Sequence, residues 1–164
     1  MIKLQGKLPR ELFLACSGGI DSMAALDFLR NNHDVSVVFF DHGTETSHYA
    51  QAHVVNYCSQ NNIDFLYGTS NSTKNKDQSW EEYWRKERYK FLHSINGTVV
   101  TAHHLDDCVE TWVWSSMHGT GKIIPYANKN VIRPFRGTRK RDLELWCRLN
   151  NVPWIEDDTN TDTC

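Results

Sequence analysis

The sequence carries no surplus of positive charge. Its 18 Lys and Arg stand against 20 Asp and Glu, for a formal net charge of −2 and a pI near 6.4. This excludes a whole-molecule basic field of the kind that draws nucleic acid without regard to sequence, and leaves only a local patch open. No apolar run reaches membrane-spanning length, and Met1 to Arg10 is mixed polar, without the apolar core of a signal peptide. There are no paired cysteines. The five, Cys16, Cys58, Cys108, Cys147 and Cys164, are scattered, so the chain has no CxxC, no zinc spacing and no disulfide framework. Free thiols suit a reducing compartment, and the chain reads as cytoplasmic with no membrane partner. What it does have is 164 residues, 40% of them hydrophobic, with six Trp. That is one domain, residues 1–164, long enough to bury about two-thirds of its unfolded surface.

The informative stretch comes early. Leu12 to Cys16 is a continuous apolar run, as expected of a strand covered on both faces. Ser17-Gly18-Gly19-Ile20-Asp21-Ser22 follows. Two residues without Cβ let the chain turn sharply and bring backbone N–H groups close to a ligand. Ser17 and Ser22 add hydroxyls. A helix from Asp21 to about Asn31 opens with unpaired N–H groups and a partial positive charge. The sum is a seat for phosphates. It lacks the Lys-Ser/Thr ending of a Walker loop and the third glycine of the dinucleotide fingerprint.

Further βα units follow. Val35 to Phe40 reads as a second buried strand that delivers Asp41-His42-Gly43 to the same end of the sheet. Asp41 and His42 either face an adenine or ribose there, or simply begin a turn. Thr46 to Asn61 reads as a helix capped by Thr46 or Ser47, with Tyr49, Ala52, His53 and Tyr57 on one face. Ile63 to Tyr67 is a third strand, and 68–78 a polar loop. Ser79 opens a helix to about Ile95 through the capping box Ser79-x-x-Glu82. Trp80, Trp84 and Phe91 would form its apolar stripe, and Glu81–Arg85 and Glu82–Lys86 are favourable pairs. Arg85 and Arg88 share a face, which is either solvated or turned toward polyphosphate or an RNA backbone.

Thr98 to Ala102 is a fourth strand leading into His103-His104-Leu105-Asp106-Asp107-Cys108-Val109-Glu110-Thr111. Asp106, Asp107 and Glu110 crowd one stretch of helix. Crowded carboxylates are tolerated when a cation, Mg²⁺ or an ammonium, sits among them; acids at a helix start also suit the macrodipole. Trp112, Val113, Trp114 and Met117 read as core. Gly119 and Gly121 end the helix, and a flexible segment runs to about Lys129. Val131 to Phe135 is a fifth strand with Pro134 at its edge or end. Thr138 caps a last helix to about Asn150. The basic cluster Arg133, Arg136, Arg139, Lys140, Arg141 and Arg148 is either solvated or an RNA contact. Trp154 to Asp162 reads as a frayed acidic tail.

Ser17-Gly-Gly-Ile-Asp-Ser22 resembles the pyrophosphatase loop of the N-type ATP pyrophosphatases. With Asp41-His-Gly43, Arg85-Lys-Glu-Arg88-Tyr89, Ala102-His-His-Leu-Asp-Asp-Cys-Val-Glu-Thr111, Gly119-Thr-Gly121, Arg133-Pro134 and the Glu156–Asp162 tail, the whole chain resembles the tRNA(Ile)-lysidine synthases. The resemblance implies an α/β fold, a doubly wound open sheet of about five parallel strands flanked by helices. It implies a ligase: ATP adenylates the C2 oxygen of the wobble cytidine of tRNA(Ile) with a CAU anticodon, and the ε-amine of L-lysine displaces AMP. Carried over residue by residue, it places Ser17, Gly18, Gly19, Asp21 and Ser22 on the pyrophosphate, with Asp21 and Asp107 near Mg²⁺. It places Asp41 and His42 near the adenosine, and Arg85 and Arg88 on phosphates. His103, Asp107 and Glu110 would bind metal or the lysine ammonium and organise the attack, and Asp157 and Asn160 would complete the substrate pocket. Cys108 departs from the Gln usual in the family. The tRNA-binding domains that normally follow are expected to be absent, leaving tRNA contacts to a homodimer or a partner protein. Two alternatives stand beside this reading: a related enzyme that thiolates another tRNA base, and an ATP-binding module dependent on a partner.

Overall fold

A computed structural model describes residues 1–70 and 72–156 of the chain. Five α-helices flank a six-stranded sheet. In chain order the elements are β1 (Glu11–Ala15), α1 (Ile20–Leu29), β2 (Asp34–Asp41), α2 (Glu45–Gln60), β3 (Phe65–Thr69) and α3 (Trp80–Ser94). Then come β4 (Val99–Thr101), α4 (Leu105–Met117), β5 (Ala127–Asn128), β6 (Val131–Ile132), a 3₁₀ turn (Pro134–Gly137) and α5 (Lys140–Leu149).

The strands lie in the order β3-β2-β1-β4-β6-β5. The first five of these are parallel, and β5 pairs antiparallel with β6. The doubly wound sheet is therefore as expected. It gains one edge strand, because the segment read as flexible closes a short hairpin through Ala127 and Asn128. The order reverses between β1 and β4. In open α/β sheets a crevice forms outside the carboxyl ends of the strands at such a switch point. Here the crevice falls between the loop after β1 and the His103-His104 turn after β4.

Apolar β-branched and aromatic residues make the central strands and bury them. Leu12, Leu14, Val37, Val38, Phe39, Val99 and Val100 are all buried. Helix α1 is covered nearly all round, with Met23, Ala24, Ala25, Leu26 and Leu29 inside, because α5 packs over its outer side with Leu143 and Cys147. The buried Asp27 carboxylate ties three helices together. It accepts hydrogen bonds from Arg30 Nε (2.9 Å), Tyr57 Oη (2.9 Å) and Trp146 Nε1 (2.9 Å). On the other side of the sheet, α3 lays the Phe91 ring against Gly68 of β3. A Cβ there would come within 2.4 Å of the ring, so only glycine fits.

Several local expectations are corrected. The cap of α2 is Thr44, whose Oγ1 accepts from the Ser47 N–H at 3.2 Å; its buried side is Ser47, Val54, Tyr57 and Cys58, with Tyr49 exposed. The angle at which α2 meets the sheet, which periodicity does not contain, selects that face. Strand β3 begins two residues later than read and exposes Leu66 and Tyr67, as an edge strand does. In α3 the Ser79 half of the capping box forms, with its Oγ accepting from the Glu82 N–H at 3.1 Å. The ion pair on that helix is Glu87–Lys90 at 4.0 Å, and neither expected pair is closed. Trp80 lies exposed outside the core, and Tyr83 and Leu92 are the buried apolar residues. Thr138 does not cap α5. It is fully buried, donating from Oγ1 to the Lys3 carbonyl at 2.7 Å, and α5 starts after Arg139. The largest departure is α4, where Trp112, Val113, Trp114 and Met117 are exposed and Ser115 alone is buried. That helix meets the rest of the domain mainly through its first turn and the 3₁₀ turn, so its apolar side is left without a neighbour among the described residues.

Candidate active site

Strand β1 runs straight into the phosphate loop. Cys16 continues the ladder, with its N–H on the Val38 carbonyl at 3.0 Å, and its buried thiol is pushed up in pKa by desolvation. The loop then closes around one hydroxyl. Ser22 Oγ accepts from the Ser17 N–H (3.2 Å), donates to the Gly19 carbonyl (3.0 Å) and lies 3.3 Å from Ser17 Oγ. Gly18 has φ +88°, the left-handed region, and a Cβ would press on Val54 at 3.3 Å. Gly19 caps α1 with no side-chain hydrogen bond, which leaves the first N–H groups of the helix pointing outward.

Residues 154–156, read from sequence as frayed, lie behind this loop. The Ile155 N–H bonds the Gly18 carbonyl at 2.9 Å, and Trp154 sits under Arg148 at 5.8 Å. Asp157 and Asn160 lie outside the described residues.

The turn after β4 forms the facing wall. His104, buried, caps α4: its Nδ1 accepts from the Asp107 N–H at 3.3 Å, and the Asp107 carboxylate accepts from the His104 N–H at 2.8 Å. The other ring nitrogen, Nε2, lies 3.4 Å from Asp21 Oδ2, so one imidazole links the phosphate loop to α4. Burial works against its charge, but the hydrogen bond to Asp21 and the fields of Asp107, Asp21 and Asp106 outweigh it, and its pKa ends above the ordinary value. His104 was not singled out by sequence. Its one signal was position, a side chain able to cap directly before a helix rich in acids.

His103 is placed at the crevice, with Nδ1 2.8 Å from Thr101 Oγ1. Burial drives its pKa down to about 4 with help from Arg133, Arg88 and His104, against the pull of Asp107. The acidic cluster separates. Asp106 Oδ2 accepts the Lys140 N–H at 2.7 Å and so caps α5, whereas Asp107 and Glu110 line a cavity together.

That cavity is one of two that share a wall. The first, about 270 Å³, runs from Ser17, Asp21 and Ser22 over an apolar floor of Ala15, Cys16, Val38, Phe40 and Leu92. The second, about 580 Å³, is lined by Trp84, Arg85, Glu110, Thr111, Lys122 and the Ile123–Pro125 segment, among others. His42, Arg88, Tyr89, His103 and Asp107 line both. Arg85 and Arg88 are thus brought to one cavity, Arg85 exposed and Arg88 deeper, where burial lowers its pKa.

Asp41 is not in either lining. Its buried carboxylate accepts from Tyr67 Oη (2.7 Å) and the Gly43 N–H (2.8 Å) with His48 3.7 Å away, the arrangement of a turn residue. His42 does line both, its Nδ1 buried without a partner. Arg133, read as part of a surface cluster, is 4% exposed. It donates to Tyr89 Oη (2.8 Å) and the Pro125 carbonyl (2.9 Å), and its buried Nε has no partner.

The residues fit a phosphate ligand accompanied by a divalent cation. Asp21 Oδ1 is buried and unpartnered beside the phosphate seat. A carboxylate with one oxygen free there opposes an anion unless a cation lies between them. Among the described residues no group of three or more His, Cys, Asp or Glu could hold a metal alone. An ion there would take one or two carboxylates and complete its shell from phosphates and water, as Mg²⁺ commonly does.

A parallel sheet with an anion-binding loop and a cavity at its switch point defines an α/β phosphate-binding domain. The family model of the PP-loop domain matches residues 2–164, and the chain belongs to that ATP-binding family. It is similar to the tRNA(Ile)-lysidine synthase of Blochmanniella pennsylvanica, 33% identical over 93% of this chain and 35% of that protein. It is likewise similar to that of Haemophilus ducreyi, 30% identical over 91% of this chain and 37% of that protein. The chain therefore spans little more than a third of these relatives. The NH3-dependent NAD synthetase of Campylobacter jejuni shares the fold, with a TM-score of 0.57, 16% identity and coverage of 90% of this chain and 66% of that one. No helix among the described residues is long and apolar enough to cross a membrane.

Proposed function

We propose that this chain is the catalytic domain of a tRNA(Ile)-lysidine synthase-like ligase. The observation that carries the reading is the pair of cavities with a common wall. A two-step transfer needs ATP on one side of a reacting centre and two further reactants on the other. Here the phosphate loop opens on one cavity, and a second, with both cations and carboxylates, adjoins it through His42, Arg88, Tyr89, His103 and Asp107.

In this reading the N–H groups of Gly18, Gly19 and the first turn of α1, with the hydroxyls of Ser17 and Ser22, hold the pyrophosphate portion of ATP. Asp21 and Asp107 would hold Mg²⁺, which would neutralise charge on the leaving pyrophosphate. The apolar floor and His42 take the adenosine. Arg88 and Arg85 stabilise charge at the α-phosphate as the cytidine O2 bonds to phosphorus and pyrophosphate leaves. Glu110, beside Asp107, binds the lysine ammonium near His103, which burial keeps uncharged and so not repelled by the amine, and the amine gives its proton to the Glu110 carboxylate as it attacks. The lysine nitrogen then bonds to C2, and the C2–oxygen bond breaks to release AMP. Asp157 and Asn160, outside the described residues, keep the substrate-pocket role that the resemblance implies for them. The tRNA body is held by domains beyond this one, or by a second subunit.

The test is AMP and pyrophosphate release by the purified chain with Mg²⁺, with and without L-lysine and tRNA. Release that requires both, with lysidine found by nucleoside mass spectrometry, is the expected result. AMP formed with tRNA but indifferent to lysine would sink the lysine assignment and leave a base-modifying relative. ATP binding without turnover would favour the partner-dependent module.

A further inference from the structure

Helix α3 turns two aromatic side chains, Trp84 and Tyr89, to the second cavity. Trp84 lines that cavity beside Arg85, Arg88 and Tyr89. Its ring centroid lies 5.3 Å from that of Trp80 one turn earlier, with planes 32° apart, and 5.5 Å from His42. Trp80 is itself 57% exposed, with Lys74 Nζ 5.3 Å from its ring. Ile123, Ile124 and Pro125 line the same cavity, so it offers both an aromatic ring and apolar side chains to a flat ring system.

Its charges point to what could enter. The lining holds Arg85, Arg88, Lys122 and Arg133 against Glu81, Asp107 and Glu110. Neither Arg88 nor Arg133 has a carboxylate partner among the described residues, and the Nε of the nearly fully buried Arg133 is unpaired. A buried guanidinium without a carboxylate, as at Arg133, leaves its charge open to an anionic oxygen from outside. A flat apolar ligand carrying an anion, next to a nucleotide cavity, has the chemistry of a nucleotide. Aromatic platforms with adjacent arginines are how proteins hold unpaired bases.

We propose that Trp84, backed by Trp80, is a base-stacking wall that receives an unpaired base of single-stranded RNA, with the RNA phosphate turned toward Lys122 and Arg133. The inference deepens the reading of the acceptor as tRNA and rests on it for the choice of RNA. It assigns to α3 a share of acceptor binding that belongs to this domain alone.

The test is the Kd of a fluorescein-labelled RNA hairpin with an anticodon-sized loop, measured by anisotropy at one fixed salt concentration, beside a fully duplex RNA of the same length. Trp84→Ala should weaken hairpin binding roughly ten-fold or more and leave duplex binding and ATP affinity near the parent values. Trp84→Phe should restore most of it, and Trp80→Ala should cost less than Trp84→Ala. Hairpin binding unchanged in Trp84→Ala, or lost equally for the duplex, would overturn the proposal. A second measurement needs no variant: 4-thiouridine in the hairpin loop should photo-crosslink to α3, and crosslinks confined to other elements would count against it. The two readings fail separately. Trp84-dependent hairpin binding without lysine-dependent AMP release keeps the stacking wall and sinks the ligase. Lysine transfer with an unchanged KM for tRNA in Trp84→Ala does the reverse.

Discussion

His103 and His104 are consecutive residues facing two different neighbourhoods of one crevice, and those neighbourhoods pull their protons in opposite directions. His104 sits among Asp21, Asp106 and Asp107, which raise its pKa despite burial. His103 is depressed chiefly by burial, and Arg133 and Arg88 add to that against the pull of Asp107. One side of the crevice is therefore acidic and gathered on the phosphate loop. The other is cationic and gathered on α3 and β6. The difference teaches that the peptide chain need not travel to change electrostatic sign. A strand end alternates the directions of successive side chains, and the packing on each side supplies the charge.

The largest expected effect comes from breaking the acidic side at its centre. Asp21→Asn should lower lysine-dependent AMP formation on the order of 10²–10³-fold, the scale seen when one transition-state electrostatic contact is removed. It should also lower the His104 pKa, because burial then meets less opposition; titration of the imidazole by NMR reads this directly. An unmoved His104 pKa would disconnect the two walls.

Next is a variant that should harm both sides alike. Asp27→Ala leaves Tyr57 and Trp146 without an acceptor and Arg30 without its partner. A loss of about 2–4 kcal/mol in denaturant unfolding is expected, with fold rather than chemistry as its cause. Stability unchanged from the parent would mean that Asp27 does not join the three helices.

The pH dependence sharpens the contrast. His104 has a folded pKa above its unfolded value of about 6.5, so the stability it contributes is present below that pH and is lost as pH rises through the raised pKa. His103 is depressed to about 4, so the unfolded chain binds its proton first, and stability falls as pH drops from about 6.5 toward 4. His103→Gln should flatten the acid-side loss. His104→Asn, which keeps a capping side chain, should flatten the alkaline-side loss. Unfolding midpoints across this range check both, and identical profiles for the two variants would break the comparison.

The smallest effect is expected on α4. Trp114 and Met117 are 65% and 80% exposed, so Trp114→Ser and Met117→Lys should each change stability by no more than about 0.5 kcal/mol. A loss of several kcal/mol would restore the core reading of that face.

The phosphate loop was legible because its chemistry is local. An apolar strand, two glycines and a helix start are adjacent in sequence, and steric and hydrogen-bonding rules act over a few residues. The first four strands and the five helices were legible for the same reason, to within their ends, whereas β5 fell in a segment read as flexible and the strand read over Val131 to Phe135 gives way to a 3₁₀ turn at Pro134. The apolar side of α4 was not, because an amphipathic pattern states that a face is apolar and not that anything covers it. Arg133 was misplaced for the converse reason. The cations that follow it open toward α5, with Arg139 exposed, but β6 lies beside β4, and that pairing draws the Arg133 side chain inside against Tyr89.

By itself the sequence determined that this is a doubly wound α/β domain with an anion seat after its first strand, and it named most of the polar residues near that seat. Only the tertiary structure decided how they are shared out: Asp106 to the start of α5, Asp41 to its own turn, His104 to a link between loop and helix, and Asp107 and Glu110 to one cavity. The physical reason is the strand order. Which strand lies beside β1 is set by long-range burial across the whole sheet, and the crevice exists only because β4, far away in sequence, takes that place.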